Sequence, residues 1–210
     1  MDEIRSDTTP RKVGRLSPCI FPADKRTREI ELINQASLSG KNAFLILSER
    51  GAGKSSLAAY LAEYPPEGCN GGAYLDLQSC LDYDDFIHDF AGVITSQDEG
   101  FNQDTAQEAD IINYFSQHGR FLIAIDEIEK FIGDEGSSED RNRFCVFLKS
   151  LRESCSDLVF LFCAYSGMSD FTRTRINELI RTVSSPEDNL IIKLKPIPPA
   201  DRPPLIPAKE

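Results

Sequence analysis

The residues best equipped for chemistry fall in two short strings, SERGAGKSS at 48–56 and IAIDE at 123–127. The first orders glycines, a lysine and serines in a way that suits an anion bearing several phosphates. Successive backbone N–H groups along Glu49, Arg50, Gly51, Ala52 and Gly53 can form a concave nest, and a helix starting around Ser55 and Ser56 adds its positive end. Lys54 then reaches the β- and γ-phosphates of a nucleotide as a mobile point charge, and the Ser55 hydroxyl is suited to Mg2+. Against the pattern G-x-x-x-x-G-K-[ST], the string departs only at its first position, where Ser48 replaces glycine. A small residue can still turn the chain there, while Gly51 and Gly53 supply conformational freedom and close approach.

The second string ends an apolar run, FLIAI, with two carboxylates. Ligands of open α/β sheets bind at that carboxyl end of the strands. Asp126 suits magnesium held through its water shell, and Glu127 suits orienting and deprotonating an attacking water. A competing reading makes both acids the start of a solvated helix, DEIEKF, where negative charge is favourable. The phosphate loop upstream tips the balance to the metal. Glu129 and Lys130 are expected to be surface charges. At the end of LVFLFCAYSG, Ser166 can touch the γ-phosphate or the attacking water, although a Ser-Gly turn explains it nearly as well. Arg173, Arg175 and Arg181 in DFTRTRINELIRTV are candidate arginine fingers for a neighbouring subunit, or plain solvated helix residues. The catalytic candidates are thus Glu127, Lys54 and Ser166, and the metal candidates Ser55 and Asp126.

Such residues need a rigid carrier, and the chain offers one. Apolar runs of strand length at 43–47, 73–78, 121–125, 158–165 and 190–194 alternate with stretches of helical periodicity, the pattern of a parallel sheet covered by helices. Leu57, Leu61 and Tyr64 form one helix face, stopped by Pro65-Pro66. Thr105 and Glu108 predict a capping box ahead of Ile111, Ile112 and Phe115, with Gly119 ending that helix. Further stripes are Phe144, Phe147, Leu148 and Leu151, then Ile176, Leu179, Ile180 and Val183. DKRTREIELINQ predicts an additional helix before the first strand, with Ile30 and Ile33 buried.

At 210 residues, 40% hydrophobic and 27% charged, the chain suits one domain. Residues 1–18 are expected to be a loose leader, 19–195 the core, and 196–210 a proline-rich tail of extended chain. With no apolar run of membrane length and no signal-peptide pattern, a cytoplasmic location is expected. Six cysteines without a CxxC pair fit a reducing compartment and argue against a zinc site. The net charge of −11 disfavours a large nucleic-acid footprint. Residues 82–110 hold nine acids and no Lys or Arg, which predicts a solvated face or a surface for a basic partner.

On the strings SERGAGKSSL and FLIAIDEIEKF, with helix and strand in this order over about residues 20–195, the chain resembles the nucleotide-binding core of AAA+ and STAND ATPases. The resemblance implies an α/β three-layer P-loop NTPase with a five-stranded parallel sheet ordered 5-1-4-3-2. It also implies ATP as ligand with Mg2+, and use of ATP to switch self-association or protein-partner binding. Lys54 and Ser55 match the Walker A positions, Asp126 and Glu127 the Walker B positions, and Ser166 the sensor-1 position. Ile20 and Phe21 match the region that contacts adenine, without the usual Phe-x-Gly-Arg-Glu pattern. In these families a helical lid follows a string like IIKLKPIPPADRPPLI, and this sequence ends at Glu210, so slow turnover is expected of this piece alone. Three alternatives stay open: a small-molecule kinase, a nucleic-acid-handling ATPase, and a scaffold that binds ATP without turnover.

Overall fold

The computed structural model describes residues 25–134 and 136–196. The expected leader, Cys19, the adenine candidates Ile20 and Phe21, and all but the first residue of the expected tail lie outside them. The chain runs α1 (Thr27–Leu38), β1 (Ala43–Ser48), α2 (Lys54–Glu63), β2 (Gly71–Asp76), α3 (Tyr83–Thr95) and α4 (Glu108–His118). It continues with β3 (Phe121–Asp126), α5 (Glu129–Ile132), α6 (Ser138–Ser154), β4 (Val159–Tyr165), α7 (Asp170–Val183) and β5 (Asn189–Lys193). All strand pairs are parallel and the order across the sheet is β2-β3-β4-β1-β5, the 5-1-4-3-2 arrangement seen from the other edge.

Alternation along the central strands builds a core on each face. Ala43 and Leu45 of β1, Ile123 and Ile125 of β3 and Phe160 and Phe162 of β4 point to the side covered by α3, α4, α6 and α7. Their neighbours Phe44, Ile46, Leu122, Ala124, Leu161 and Cys163 point to the side covered by α1 and α2. A strand buried on both faces carries no polar position, which is why these runs are continuously apolar. The larger core is aromatic: Phe86 meets the rings of Tyr83, Phe90, Phe131, Phe144 and Phe147, with centroids 5.1–6.1 Å apart.

Several local expectations shift. β2 starts at Gly71 and ends at Asp76, two residues earlier than its apolar run, and includes Gly72, where a Cβ would collide with the Ala62 carbonyl. Only glycine lets the strand lie that close to the end of α2. The capping box sits at Gln107 and Asp110, not Thr105 and Glu108, with the Asp110 carboxylate accepting the Gln107 N–H at 2.8 Å. Tyr64 caps the end of α2 and is exposed, and Ile30 is only half-buried. The acidic 82–110 segment is not uniformly a solvated face: α3 buries Tyr83, Phe86 and Phe90, and some of its acids act locally. Asp82 caps α3 through the Asp85 N–H, Asp84 pairs with Arg143 at 2.7 Å, and Glu108 accepts from the Tyr83 hydroxyl at 2.8 Å. No helix among the described residues is long and apolar enough to cross a membrane.

Candidate functional site

The carboxyl ends of β1, β3 and β4 bring the two strings together. After β1 the chain turns through Gly51 and Gly53, at φ +74° and +87°, backbone that a side-chain-bearing residue adopts only with strain. The Ala52 N–H bonds back to the Glu49 carbonyl at 3.3 Å, so the loop closes as a compact turn. α2 then begins at Lys54 with no side-chain cap, and helix geometry leaves its first-turn N–H groups without helical acceptors. Glu49 and Arg50 are exposed, Ser55 and Ser56 half-buried, and Ser48 is buried under the loop. Arg50 lies over the Tyr165 ring, 5.6 Å from its centroid.

Lys54 crosses the end of β4 to meet the acids at the end of β3. Its ammonium donates to Glu127 Oε1 and lies 3.6 Å from Asp126 Oδ1. Burial by itself would lower the lysine pKa, but the two carboxylates outweigh it and the net shift is upward. The Asp126 side chain is 1% exposed. Burial pushes its carboxyl up, while Lys54 and the Ser55 hydroxyl hold it down. Asp126 also accepts from the Tyr74 hydroxyl at 3.1 Å and from the Glu127 N–H at 2.9 Å. The Ser55 hydroxyl and the Asp126 carboxylate are hard oxygen donors side by side, a pair that fits Mg2+.

Glu127, at φ +56°, is the one non-glycine with positive φ among the described residues. A glutamate there costs on the order of 1 kcal/mol or more, and such strain gathers at functional sites. Ser166 sits beside the start of the loop: its N–H donates to the Ser48 carbonyl at 2.9 Å, and its own carbonyl accepts from Arg173 at 3.2 Å. Arg175 stacks on Phe171, 3.9 Å from the ring centroid. A cavity of about 310 Å³ between α7 and β5, lined by Asn177, Ile180, Arg181 and Ile191, lies apart from this chemistry.

Glu129 corrects the expectation of a surface charge. Its Oε1 accepts the Tyr165 N–H at 3.0 Å, tying α5 to the end of β4, and its Oε2 is buried without a hydrogen-bond partner among the described residues. Burial lifts its pKa to about 7, with the Glu127 carboxylate adding to the shift. Lys130 reaches back to the Gln78 carbonyl at 2.9 Å. Because the folded carboxyl keeps its proton up to about pH 7 while the unfolded one loses it near 4.5, stability falls as pH rises through that window. Glu129→Gln is therefore expected to match wild type at pH 4.5 and to exceed it by on the order of 2 kcal/mol at pH 8, after allowance for screening. Urea unfolding of both proteins at the two pH values measures the difference.

A scan against protein-family models finds no match, and a search of curated proteins finds none either. Solved structures do match. The ORC2 protein of Aeropyrum pernix, in ADPNP–ADP complexes, is 18% identical with a TM-score of 0.54, over 80% of this chain and 47% of that one. Drosophila ORC bound to DNA is 17% identical with a TM-score of 0.55, over 83% and 43%. A Walker-type ATPase of Pyrococcus abyssi is 15% identical with a TM-score of 0.51, over 80% and 53%. The chain spans about half the length of the structures it matches. At these identities the likeness is one of architecture alone, a five-stranded parallel sheet between two helical layers in the α/β fold of P-loop NTPases.

Proposed function

We propose that the chain is a Mg-ATP-binding domain that hydrolyses ATP to switch assembly or partner binding. The observation that carries this reading is the convergence of Lys54, Ser55, Asp126 and Glu127 at one sheet end, beside the uncapped start of α2. In this reading the loop N–H groups from Glu49 to Ser56 hold the phosphates, and Lys54 leaves Glu127 to meet the β- and γ-oxygens. Ser55 and Asp126 hold Mg2+, which when bound neutralises charge on those oxygens. Glu127 orients a water and takes its proton as the new O–P bond forms and the β–γ bridge breaks. In the same reading Ser166, whose backbone N–H bonds the Ser48 carbonyl, contacts the γ-phosphate side. Saturable binding of Mg-ATP in titration calorimetry is required, and its absence up to about millimolar concentration would exclude the reading.

A second reading is a nucleic-acid-handling ATPase, favoured by the likeness to Drosophila ORC bound to DNA. The net charge of −11 opposes it for this segment. Fluorescence anisotropy with a labelled duplex separates the two: binding at 50 mM salt that needs ATP and disappears by 200 mM supports DNA handling. No binding with or without ATP is expected of a protein-directed switch.

A further inference from the structure

Arg26 occupies a position that the phosphate chemistry does not explain. It stands at the head of α1, yet its guanidinium is buried, at 3% exposure. One terminal nitrogen, Nη2, donates to two carbonyls from distant parts of the chain: Ala52 in the phosphate loop, and Lys195 just past β5 at 2.8 Å. The other, Nη1, donates to the Glu29 carboxylate at 3.2 Å, which fixes the plane of the fork. The segment past β5 is also held against β1, where the Leu194 N–H donates to the Leu47 carbonyl at 2.9 Å.

The two acceptors matter because of where they lie. Ala52 sits between Gly51 and Gly53, the two positive-φ glycines of the loop. In a planar trans peptide the carbonyl and the next N–H point in opposite directions, so drawing the Ala52 carbonyl onto Arg26 turns the Gly53 N–H to the other side of the chain. A tilt of that peptide when phosphates enter must move or break the Ala52 bond. The charge of the guanidinium stays paired with Glu29, but a buried N–H that loses its acceptor is left unsatisfied, which favours a concerted rearrangement over a lone broken bond. Among the described residues, the other carbonyl on the same nitrogen is that of Lys195.

We propose that Arg26 is a positioning residue that couples occupancy of the phosphate loop to the chain leaving β5. The inference rests on the nucleotide-binding reading and assigns the route by which that site signals. Nucleotide at 48–56 is communicated through one nitrogen atom to residue 195 and to whatever follows it. Both bonds are charge-assisted, the one to Ala52 buried and the one to Lys195 partly so, and they exceed neutral surface contacts in strength.

Hydrogen exchange of the full chain, with and without Mg2+ and the non-hydrolysable analogue AMPPNP, tests it. In wild type, bound nucleotide is expected to change exchange at the amides of residues 190–195 at least about fivefold. In Arg26→Met, nucleotide still binds, about tenfold more weakly because the loop is less preorganised, and the change at 190–195 is lost. Arg26→Lys, which restores a cationic donor, recovers part of it. A purely structural role would alter basal exchange in Arg26→Met but leave the nucleotide-dependent change intact, and that result overturns the proposal. Should Arg26→Met fail to melt cooperatively, wild type alone decides, since unchanged exchange at 190–195 on saturation also overturns it. Calorimetry on the same wild-type sample separates the two levels: no binding removes the nucleotide-binding reading itself, whereas binding without the exchange change removes only the coupling.

Discussion

Lys54→Ala is expected to weaken Mg-ATP binding at least about 100-fold, to the point of no measurable heat in calorimetry. Two charge-assisted hydrogen bonds to phosphate oxygens, each worth roughly 1.5–3 kcal/mol, account for that loss. The substitution also strips the buried Asp126 of its nearest cation, so Lys54→Met, which keeps the apolar stem, belongs beside it as a control for packing. Thermal melts of the variants separate a folded protein that cannot bind from one that has lost its core. Equal affinity in wild type and a folded Lys54 variant would remove nucleotide binding by this loop.

Glu127→Gln is expected to do the opposite to binding while stopping chemistry. A positioned general base contributes about 10²–10⁴-fold, so single-turnover hydrolysis should slow by at least 100-fold. Affinity for Mg-ATP should hold or rise several-fold, because Glu127 is the closest partner of Lys54 before nucleotide arrives and competes with it for the ammonium. Glutamine keeps the same backbone strain at φ +56° and nearly the same volume, so the comparison isolates the charge. Rapid-quench measurement of one turnover gives the chemical rate free of product release. An unchanged rate would place the base elsewhere, with Glu129 the next carboxylate in line.

The parts of the molecule legible in the sequence are those where local chemistry and fold agree. The glycine loop, the continuous apolar runs of β1, β3 and β4, and the stripes of α6 and α7 each follow from a single periodicity or motif. The sheet order follows only from resemblance to a family, since no periodicity encodes which parallel strands are neighbours. Spacing alone does not locate the capping box of α4, since Thr105–Glu108 and Gln107–Asp110 both have capping spacing and the chain uses the second. Composition hid the aromatic face of α3, whose acids dominate an average while its rings dominate the core. Glu129 had one available signal, its place two residues past Glu127. Its burial, however, depends on a one-turn helix folding back to the end of β4. Tyr74 and Arg26 carry none, because Asp126 lies far from Tyr74 along the chain, and the two distant partners of Arg26 are backbone carbonyls.

The sheet order also dictates when the site can come into being. β1 pairs only with β4 and β5, both of which follow nearly everything else in the chain. On the ribosome, β2 can zip against β3 while β1 still waits, its apolar side chains unpaired and open to the wrong neighbours. The loop that follows β1 is therefore synthesised early and assembled last. A nascent chain arrested before Val159 carries every residue of the two motifs and no frame to hold them, which makes the emergence of β4 the step at which nucleotide affinity would first register.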